Sequence, residues 1–589
     1  MTNSIRTPFI INHAFRKFFV ASILTSIISQ INTLVNGIIV SQTVGADAIS
    51  AVNLSIPIIT LILAVTTMIC FGTSLIMSRE IGNQNYKQVD RLFTMSVSTA
   101  FIINLTLCIV LGIYSDKIAH LLTSDQRLLP LLSAYLPFSF VGTLALSLQY
   151  SLAQSIQISG QPGLVTKSMI VSSLLNVVLT SLAVIVFDTG MQGAALASAA
   201  SVLLSMLIFI PYLWSENKPF RLVSLKGGWY FKMLAKSTVR GIPIAIGTAM
   251  LGIFVMGLNA IIMNSQGANG MFILSVCLQI LVISMLIMTG AGSAITGVGG
   301  VLLGEQDYDG FNILIHKIFK IICGGVATFT VLMMLFPALP ARMFGATGEL
   351  LEISKGPIRI FSLIFIPIGI IKLLASLFMI LKRGLMSSML NMGIVVCMLP
   401  IVWLTSRFAP EYIWYSIPAS IWLLLLITLG TTWYISRRNK GLHWFFLTQT
   451  SSNIHWITYS VKFEKEDVEI KLNKLLSFIE SYKFPRKLYL DIHHCLEELM
   501  YNEVEMASIT GKHGAFDISI HNQQEKISVI IKDVGKPYNP IIKYSPNHID
   551  DIDPSQLSML LVNGLCENIN YKYMNGLNCL YLNFEKKIR

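Results

Sequence analysis

"IGNQNYKQ", residues 81–88, returns as "LGEQDYDG" at residues 303–310, which is 222 positions further along the chain. The two stretches share a glycine, a glutamine and a tyrosine, and the matching pairs are Gly82 and Gly304, Gln84 and Gln306, and Tyr86 and Tyr308. Each stretch follows a long apolar run that contains Gly and Ser, and each opens the next apolar run. This shared placement indicates that one unit of the sequence has been duplicated.

Apolar segments long enough to cross a membrane recur from Phe18 to about Tyr434. Of the 589 residues, 53% are hydrophobic and 13% are charged, whereas soluble domains contain about 25% charged residues. A membrane crossing needs about 20 apolar residues. Twelve segments have this length, near residues 17–42, 49–77, 92–114, 128–155, 164–187, 190–214, 240–263, 269–302, 312–337, 356–381, 384–406 and 411–436. Together with the duplication, they predict an all-α polytopic membrane domain of 12 transmembrane helices in two six-helix repeats. Such duplicated halves are common in secondary transporters.

The distribution of basic residues predicts the orientation of this domain. If the N-terminus is cytoplasmic, roughly 20 basic residues lie in inner segments and about 6 in outer ones, and cytoplasmic loops are the ones that carry such an excess. The outer residues are Lys117, Arg127, Arg342, Lys355, Arg359 and Arg407. We therefore expect a multi-pass protein of the bacterial inner (cytoplasmic) membrane with both termini in the cytoplasm. The net charge of +12 follows from this asymmetry, and it calls for no nucleic-acid partner.

The composition becomes that of a soluble domain after Arg438. We divide the chain into a membrane domain at 1–440, a linker at 441–452 and a cytoplasmic domain at 453–589. In the last of these, "EDVEIKLNKLLSFIESYKF" and "PRKLYLDIHHCLEELMYNEVEMAS" have helical periodicity, and "AFDISIHN" and "KISVIIKDVG" alternate as half-buried strands do. The order is strand, helix, helix, strand, strand, helix, strand. It predicts an α/β sandwich of one sheet and one helical layer.

Three stretches of the membrane domain carry a family resemblance. They are "LVNGIIVSQTVGADAISAVNLSIP" (34–57), "GQPGLVTKSMIVSSLLNVVLTSLAVIVFDTGMQGAALASA" (160–199) and "RGIP" (240–243). With them, residues from about 10 to 440 resemble the MATE family of multidrug and toxic-compound exporters. The domain is more distantly similar to flippases for lipid-linked oligosaccharides. The resemblance implies antiporter-type export of amphipathic organic molecules by alternating access, with H⁺ or Na⁺ as the coupling ion.

The predicted spans depart from that family in their ionisable groups. No Asp, Glu or His lies well inside a span, although gradient coupling calls for such a group and intramembrane ionisable residues are usually functional. Asn36 stands in the first span where relatives typically place a carboxylate, and Thr180 stands in the fifth span after "NVVL". These two residues and Asn176 either line a cavity and bind Na⁺ through oxygen atoms or make interhelical hydrogen bonds.

One lysine, Lys372, stands inside a predicted span. It lies about ten residues, or roughly 15 Å of helix, from the basic pair Lys382 and Arg383, which is a long reach for a snorkelling side chain. Two interpretations remain open. In the first, Lys372 contacts an anionic substrate or titrates during transport; in the second, it forms a salt bridge or reaches a cavity without a role in coupling.

Two motifs in the C-terminal domain together indicate a nucleotide site. Glu498 and Asn502 are four residues apart and share one face of a helix, so the amide oxygen of Asn502 is placed for Mg²⁺ and the Glu498 carboxylate for proton acceptance. Asp533 at a strand end is placed to accept a hydrogen bond from an adenine amine, and Gly535 lets the backbone approach the ring. Residues from about 450 to 589 thereby resemble the histidine-kinase-type ATP-binding fold in its anti-sigma-factor kinase branch. The resemblance implies Mg-ATP as a ligand.

The third motif of that fold is altered. A glycine-rich lid, whose backbone N–H groups wrap the phosphates, should precede "LVNGL", but residues 554–560 read "PSQLSML", with Gln556 and Ser558 in place of glycines. Met506 stands where the resemblance places a histidine. The altered lid argues against ATPase or kinase activity and favours a degenerate site.

Three functions follow from these observations. The first is a secondary transporter for a small amphipathic organic substrate, regulated by the nucleotide-binding-like domain, with no required cofactor and with a cytoplasmic regulatory protein as a candidate partner. The second is a membrane receptor or signalling protein whose MATE-like part senses a ligand without transporting it. The third is a flippase that uses Lys372 against the phosphate of a lipid-linked substrate.

Overall fold

A computed structural model describes residues 7–586, apart from 44–45, 123–128, 216–219, 225–226, 344–345, 347, 440–441, 449–455, 483, 511–513, 523–525, 536–538, 540, 542–553 and 575. Within the described residues, 12 helices are long and apolar enough to span a membrane. We call them TM1 to TM12: Phe9–Asn32, Ile58–Gly82, Tyr86–Ile113, Leu129–Ile158, Pro162–Val186, Gly190–Trp214, Tyr230–Gly267, Asn269–Gly304, Tyr308–Leu335, Gly348–Ile380, Gly384–Phe408 and Pro410–Arg438. The predicted membrane domain of 12 helices is confirmed.

The duplicated sequence forms the same turn twice. Gln84 and Gln306 both adopt left-handed backbone conformations, with φ of 61° and 62°. The residues that follow them, Asn85 and Asp307, are the N-caps of TM3 and TM9. Asp307 accepts a hydrogen bond from the N–H group of Gly310 at 2.8 Å. The sequence repeat is therefore also a repeat of backbone geometry.

The two turns bring the halves together. A Cβ at Gly82 would lie 2.3 Å from the carbonyl oxygen of Val301 and 2.8 Å from the Cα of Gly304. A Cβ at Gly304 would lie 2.3 Å from the carbonyl oxygen of Arg79. Only glycine permits so close an approach of two backbones. The Arg79 guanidinium also donates a hydrogen bond to the carbonyl of Ile380 in the second half.

The C-terminal domain is one sheet covered on one face by helices. Its strands are β1 (Trp456–Lys462), β2 (Ala515–Asn522), β3 (Lys526–Val534), β4 (Asn568–Met574) and β5 (Leu577–Glu585), and its helices are α1 (Lys465–Glu480), α2 (Arg486–Thr510) and α3 (Pro554–Leu565). The strands pair in the order β1-β2-β3-β5-β4, and all four pairings are antiparallel. The predicted α/β sandwich is confirmed. The strand β4, which the sequence analysis did not separate from the last strand, completes the sheet edge.

The sheet is buried on both faces. Alternate residues such as Phe516, Val529 and Leu582 pack with the helices in one core. On the opposite face, Ile530, Cys579 and Tyr581 belong to the core of the membrane domain. An antiparallel sheet commonly leaves one face to solvent. Here the membrane domain covers that face.

Candidate functional site

A small, partly open cavity lies inside the second half of the membrane domain. Four helices line it: TM7 with Gly247, Met250 and Phe254, TM8 with Leu281 and Met285, TM10 with Ile368 and Lys372, and TM11 with Asn391, Ile394 and Val395. Its walls are apolar, and Lys372 is the only charged residue among the described residues that line it. Such a chamber suits a molecule with an apolar body.

Lys372 is held at the cavity wall by Asn391. Its Nζ donates a hydrogen bond of 2.9 Å to Asn391 Oδ1. The Asn391 amide nitrogen donates to the carbonyl oxygens of Pro243 at 3.2 Å and Ser387 at 3.1 Å, so its oxygen must face the lysine. Gly247 makes room for this amide, because a Cβ there would lie 3.2 Å from Asn391 Oδ1. Asn391 was not predicted from the sequence, although an amide in an otherwise apolar span is a recognisable signal.

TM5 in the first half carries two buried side-chain oxygen atoms that have no hydrogen-bond partner among the described residues. Asn176 and Thr180 lie one turn apart in TM5, 3% and 0% exposed. The Asn176 amide nitrogen donates to Ser198 Oγ at 2.9 Å, but neither Asn176 Oδ1 nor Thr180 Oγ1 has a partner among the described residues. Asn36, the third candidate of this half, lies outside the residues whose side chains are described.

The C-terminal domain contacts the membrane domain through a buried ion pair. Lys532 Nζ on β3 lies 2.5 Å from Glu305 Oε2 in the second repeat turn, and the hydroxyl of Tyr581 on β5 donates to Glu305 Oε1 at 3.0 Å. All three side chains are buried. Burial lowers the pKa of Lys532, but the charge of Glu305 more than offsets this effect, so the pKa lies above its ordinary value. Burial and the same charge raise the pKa of Tyr581 well above its ordinary value.

The same sheet also contacts the first repeat turn. The Asn583 amide nitrogen donates to Gln84 Oε1 at 3.3 Å. The Lys572 ammonium lies 4.8 Å from the centroid of the Tyr86 ring, within the range of a cation–π interaction. We call the surface formed by residues 84–86 and 305 the docking face. It includes both halves, so the C-terminal domain bridges them.

The beginning of TM1 and Thr7, two residues before it, extend the contact. The Thr7 N–H donates to Ser460 Oγ at 2.9 Å, and Ser460 Oγ donates to Asp517 Oδ1 at 2.6 Å. Gly514 packs against the Phe9 ring, because a Cβ there would lie 2.5 Å from its Cζ atom. The covered sheet face thus carries polar residues such as Ser460, Asp517 and Lys532, all buried.

The nucleotide motifs lie on the helical side of the C-terminal domain and at a strand end. Glu498 and Asn502 are partly buried on α2, and Gly535 directly follows β3. Asp533 is 3% exposed, and its Oδ1 accepts a hydrogen bond of 3.0 Å from the Asn578 amide. Tyr571 donates in turn to Asn578 Oδ1 at 2.7 Å. The sequence analysis found Asp533 but neither of its two supporting residues.

The altered lid region is helical. Residues 554–560 form the start of α3. The side chains of Gln556 and Ser558 lie outside the described residues. A small pocket lies beside this helix, lined by Ile541, Met559, Leu560, Asn563 and Ile569. The described backbone of the lid region is thus a helix rather than a glycine loop.

Two family models match separate parts of the chain. Residues 21–182 match the MatE family, and residues 462–584 match the histidine kinase-like ATPase domain. Among curated relatives, a "Multidrug export protein MepA" of Staphylococcus saprophyticus is 27% identical over 200 residues, 34% of this chain and 44% of that protein. The protein of the same name from Staphylococcus aureus is 26% identical over 252 residues, 43% of this chain and 54% of that protein. The chain thus matches about half the length of these relatives.

Solved structures share the fold of the membrane domain. A MATE protein in complex with MaL6 aligns with a TM-score of 0.66 at 19% identity, over 72% of this chain and 95% of that one. An outward-facing MATE family transporter aligns equally well, with a TM-score of 0.66 at 18% identity, over the same 72% and 95%. A MOP superfamily transporter from Pyrococcus furiosus has a TM-score of 0.65 at 18% identity and covers 72% of this chain and 96% of its own. The chain therefore joins a membrane part with the MATE transporter fold, containing a MatE domain, to a C-terminal histidine kinase-like ATPase domain.

Proposed function

We propose that the chain is a secondary active transporter that exports amphipathic organic molecules by alternating access. One observation carries the proposal: two duplicated six-helix halves meet at Gly82 and Gly304 on one side of the membrane, and the second half encloses a largely apolar cavity. The relatives named for multidrug export support the same activity. The positive-inside rule places the docking face and both termini in the cytoplasm of a bacterial cell.

The coupling ion in this proposal is H⁺ or Na⁺. Na⁺ is the better match to the first half, because Asn176 Oδ1 and Thr180 Oγ1 are buried oxygen atoms without a described partner. Oxygen atoms of this kind are the ligands that hard cations prefer. The described Asp and Glu residues of the spans lie near the span ends, which favours a cation site built from neutral oxygens.

The C-terminal domain is proposed to regulate the transport cycle by docking. It contacts the first half at Gln84 and Tyr86 and the second half at Glu305, so it holds together the two ends that must separate when the cavity opens to the cytoplasm. The sheet face used for docking carries polar residues of the kind found on solvated sheet faces. The same face also buries Ile530, Cys579 and Tyr581 against the membrane domain, so release of the domain would expose both polar and apolar groups.

Mg-ATP fits the C-terminal domain in part. In this proposal Asp533, which accepts a hydrogen bond from Asn578, contacts the adenine amine, and Glu498 and Asn502 on α2 face the Mg²⁺. The phosphate side does not fit equally well, because residues 554–560 are helical. We therefore propose an adenine-binding regulatory domain and no phosphoryl-transfer step.

The test is efflux from proteoliposomes that contain the full-length protein. Amphipathic dyes of both charges are loaded, and an H⁺ or a Na⁺ gradient is imposed separately. Export predicts that at least one dye leaves at a rate that follows one gradient and stops when that gradient is collapsed. The proposal fails if no dye in the set moves under either gradient.

A receptor without transport activity is the second candidate. The observation that favours it is the position of the described acidic residues near the span ends, away from the cavity. A receptor would bind ligand and change the docking of the C-terminal domain without any flux. The third candidate, a flippase, would move a phosphate-bearing lipid through contact with Lys372 and would leave the dyes inside the vesicles.

A further inference from the structure

The cavity of the second half contains a positive charge that the described residues do not neutralise. Lys372 lies in TM10 between the apolar walls contributed by TM7, TM8 and TM11. Its described hydrogen-bond partner, Asn391, is a neutral amide. No carboxylate lines this cavity among the described residues. A charged group at membrane depth is costly and is retained where it binds something.

Lys372 has N–H donors left for a further hydrogen-bond partner. An ammonium group has three N–H donors, and the described structure uses one of them on Asn391 Oδ1. Asn391 is itself fixed by the carbonyls of Pro243 and Ser387. Because its orientation is fixed, it positions the ammonium without neutralising it.

The rest of the cavity offers a surface for an apolar body. Met250, Phe254, Met285 and Ile394 line it together with other aliphatic side chains. Methionine side chains are flexible and polarizable, so they adapt to differently shaped ligands. The pocket is small in this conformation, so a bulky apolar body would enter it as the flexible methionine side chains and the surrounding helices move apart.

We propose that this cavity binds the anionic headgroup and the apolar body of an organic anion, with the carboxylate, sulfonate or phosphate on Lys372. This inference rests on the proposed export function and narrows its substrate class from amphipathic molecules in general to amphipathic anions. The anion comes either from solution or from the membrane as a lipid headgroup, since the recognising chemistry is the same.

The experiment compares two probe ions of similar shape and opposite charge, tetraphenylborate and tetraphenylphosphonium. Binding of each to the full-length protein in a neutral detergent is measured by equilibrium dialysis without any ion gradient. The wild-type protein should bind tetraphenylborate about tenfold more tightly or better, because only the anion gains from the lysine charge. Equal binding of the two ions, or tighter binding of the cation, overturns the proposal.

Three variants test the residue. Lys372→Met keeps the side-chain length and removes the charge, so the preference for the anion should disappear. Lys372→Arg keeps the charge and should keep the preference. Asn391→Asp places a carboxylate beside the unchanged lysine and should also abolish the preference for the anion. This second variant keeps the proposal testable if Lys372→Met fails to fold. A preference that survives both Lys372→Met and Asn391→Asp contradicts the proposal.

Competition identifies the source of the anion. If laurate displaces tetraphenylborate at a lower concentration than dioctanoyl-phosphatidylglycerol does, the natural ligand is a soluble amphiphile. The reverse order indicates a lipid. If neither compound displaces tetraphenylborate, the proposal is contradicted. Failure of the export function is distinguishable, because this binding needs no turnover. Preferential binding of the anion without any dye efflux supports the anion site and rejects export. Dye efflux without preferential binding of the anion supports export and rejects the anion site.

Discussion

The carboxylate of Glu305 lies 2.5 Å from the ammonium of Lys532, a residue 227 positions later in the chain. The pair joins the second repeat turn of the membrane domain to the central strand of the C-terminal sheet, and both side chains are buried. The same turn in the first half carries Asn83 at the equivalent position, and Asn83 is exposed. The docking contact thus uses one of the positions at which the two repeats differ.

Removal of one member of this pair should release the C-terminal domain. Lys532→Met leaves the Glu305 charge buried without its partner, which costs about 3–5 kcal/mol. We expect faster hydrogen exchange in β3 and β5 and faster proteolysis of the 441–452 linker. Lys532→Met combined with Glu305→Gln should have a smaller effect, because no uncompensated charge remains. If hydrogen exchange and proteolysis are as fast in the double variant as in Lys532→Met alone, an uncompensated buried charge is not the cause of the release.

The docking contact should persist through neutral pH and weaken only in alkali. The pKa of Lys532 is raised above its ordinary value of 10.5. A raised pKa stabilises the docked state fully below the ordinary value, and this contribution is lost as pH rises through the higher folded-state value. Exchange rates in β3, corrected for the intrinsic pH effect, should therefore not change between about pH 7 and 9. Release within that window would contradict the assignment of Lys532 as charged and docked.

The contact between the two halves should be sensitive to a single methyl group. Gly82→Ala places a Cβ 2.3 Å from the Val301 carbonyl oxygen, and such overpacking costs about 1–3 kcal/mol. Gly324→Ala in TM9 is the matched control, since a Cβ there meets no atom within 4 Å. Thermal unfolding of the purified protein should show a lower melting temperature for Gly82→Ala only. Equal melting temperatures would show that the repeat turns do not touch as described.

Adenosine and Mg-ATP should bind the full-length protein with affinities within about tenfold of each other. The proposed adenine contact is Asp533, which Asn578 holds, while the lid region is helical where a phosphate-wrapping loop is expected. Asp533→Asn should abolish binding of both ligands in calorimetric titrations and leave the melting temperature within a few degrees of the wild type. Tight binding of Mg-ATP with undetectable binding of adenosine would contradict this assignment.

Local patterns made the membrane domain predictable. Span length and the repeated motif are properties of neighbouring residues, so 12 spans and the duplication followed from them. TM7 begins at Tyr230, ahead of the predicted residue 240. Lys232, Lys236 and Arg240 lower the hydropathy there without breaking the helix.

Contacts between residues distant in sequence could not be predicted from local sequence patterns. The hydrogen bond between Asp533 and Asn578 depends on the register of β3 and β5, in which these residues are opposite each other. The docking face likewise depends on which sheet face meets the membrane domain. Lys372 was recognisable as an isolated charge, but its partner Asn391 lies on the next helix.

Reversible cross-linking of the docking contact tests most directly whether the C-terminal domain must release the two halves for transport. Gln84→Cys and Asn583→Cys would join the first half to the C-terminal domain across a described hydrogen bond of 3.3 Å, with a short bis-methanethiosulfonate reagent and with Cys108, Cys323 and Cys397 replaced by alanine. We predict that dye efflux from proteoliposomes stops on cross-linking and returns after treatment with dithiothreitol. Efflux at the same rate in the cross-linked and reduced states would contradict the claim that the C-terminal domain must release the two halves for transport.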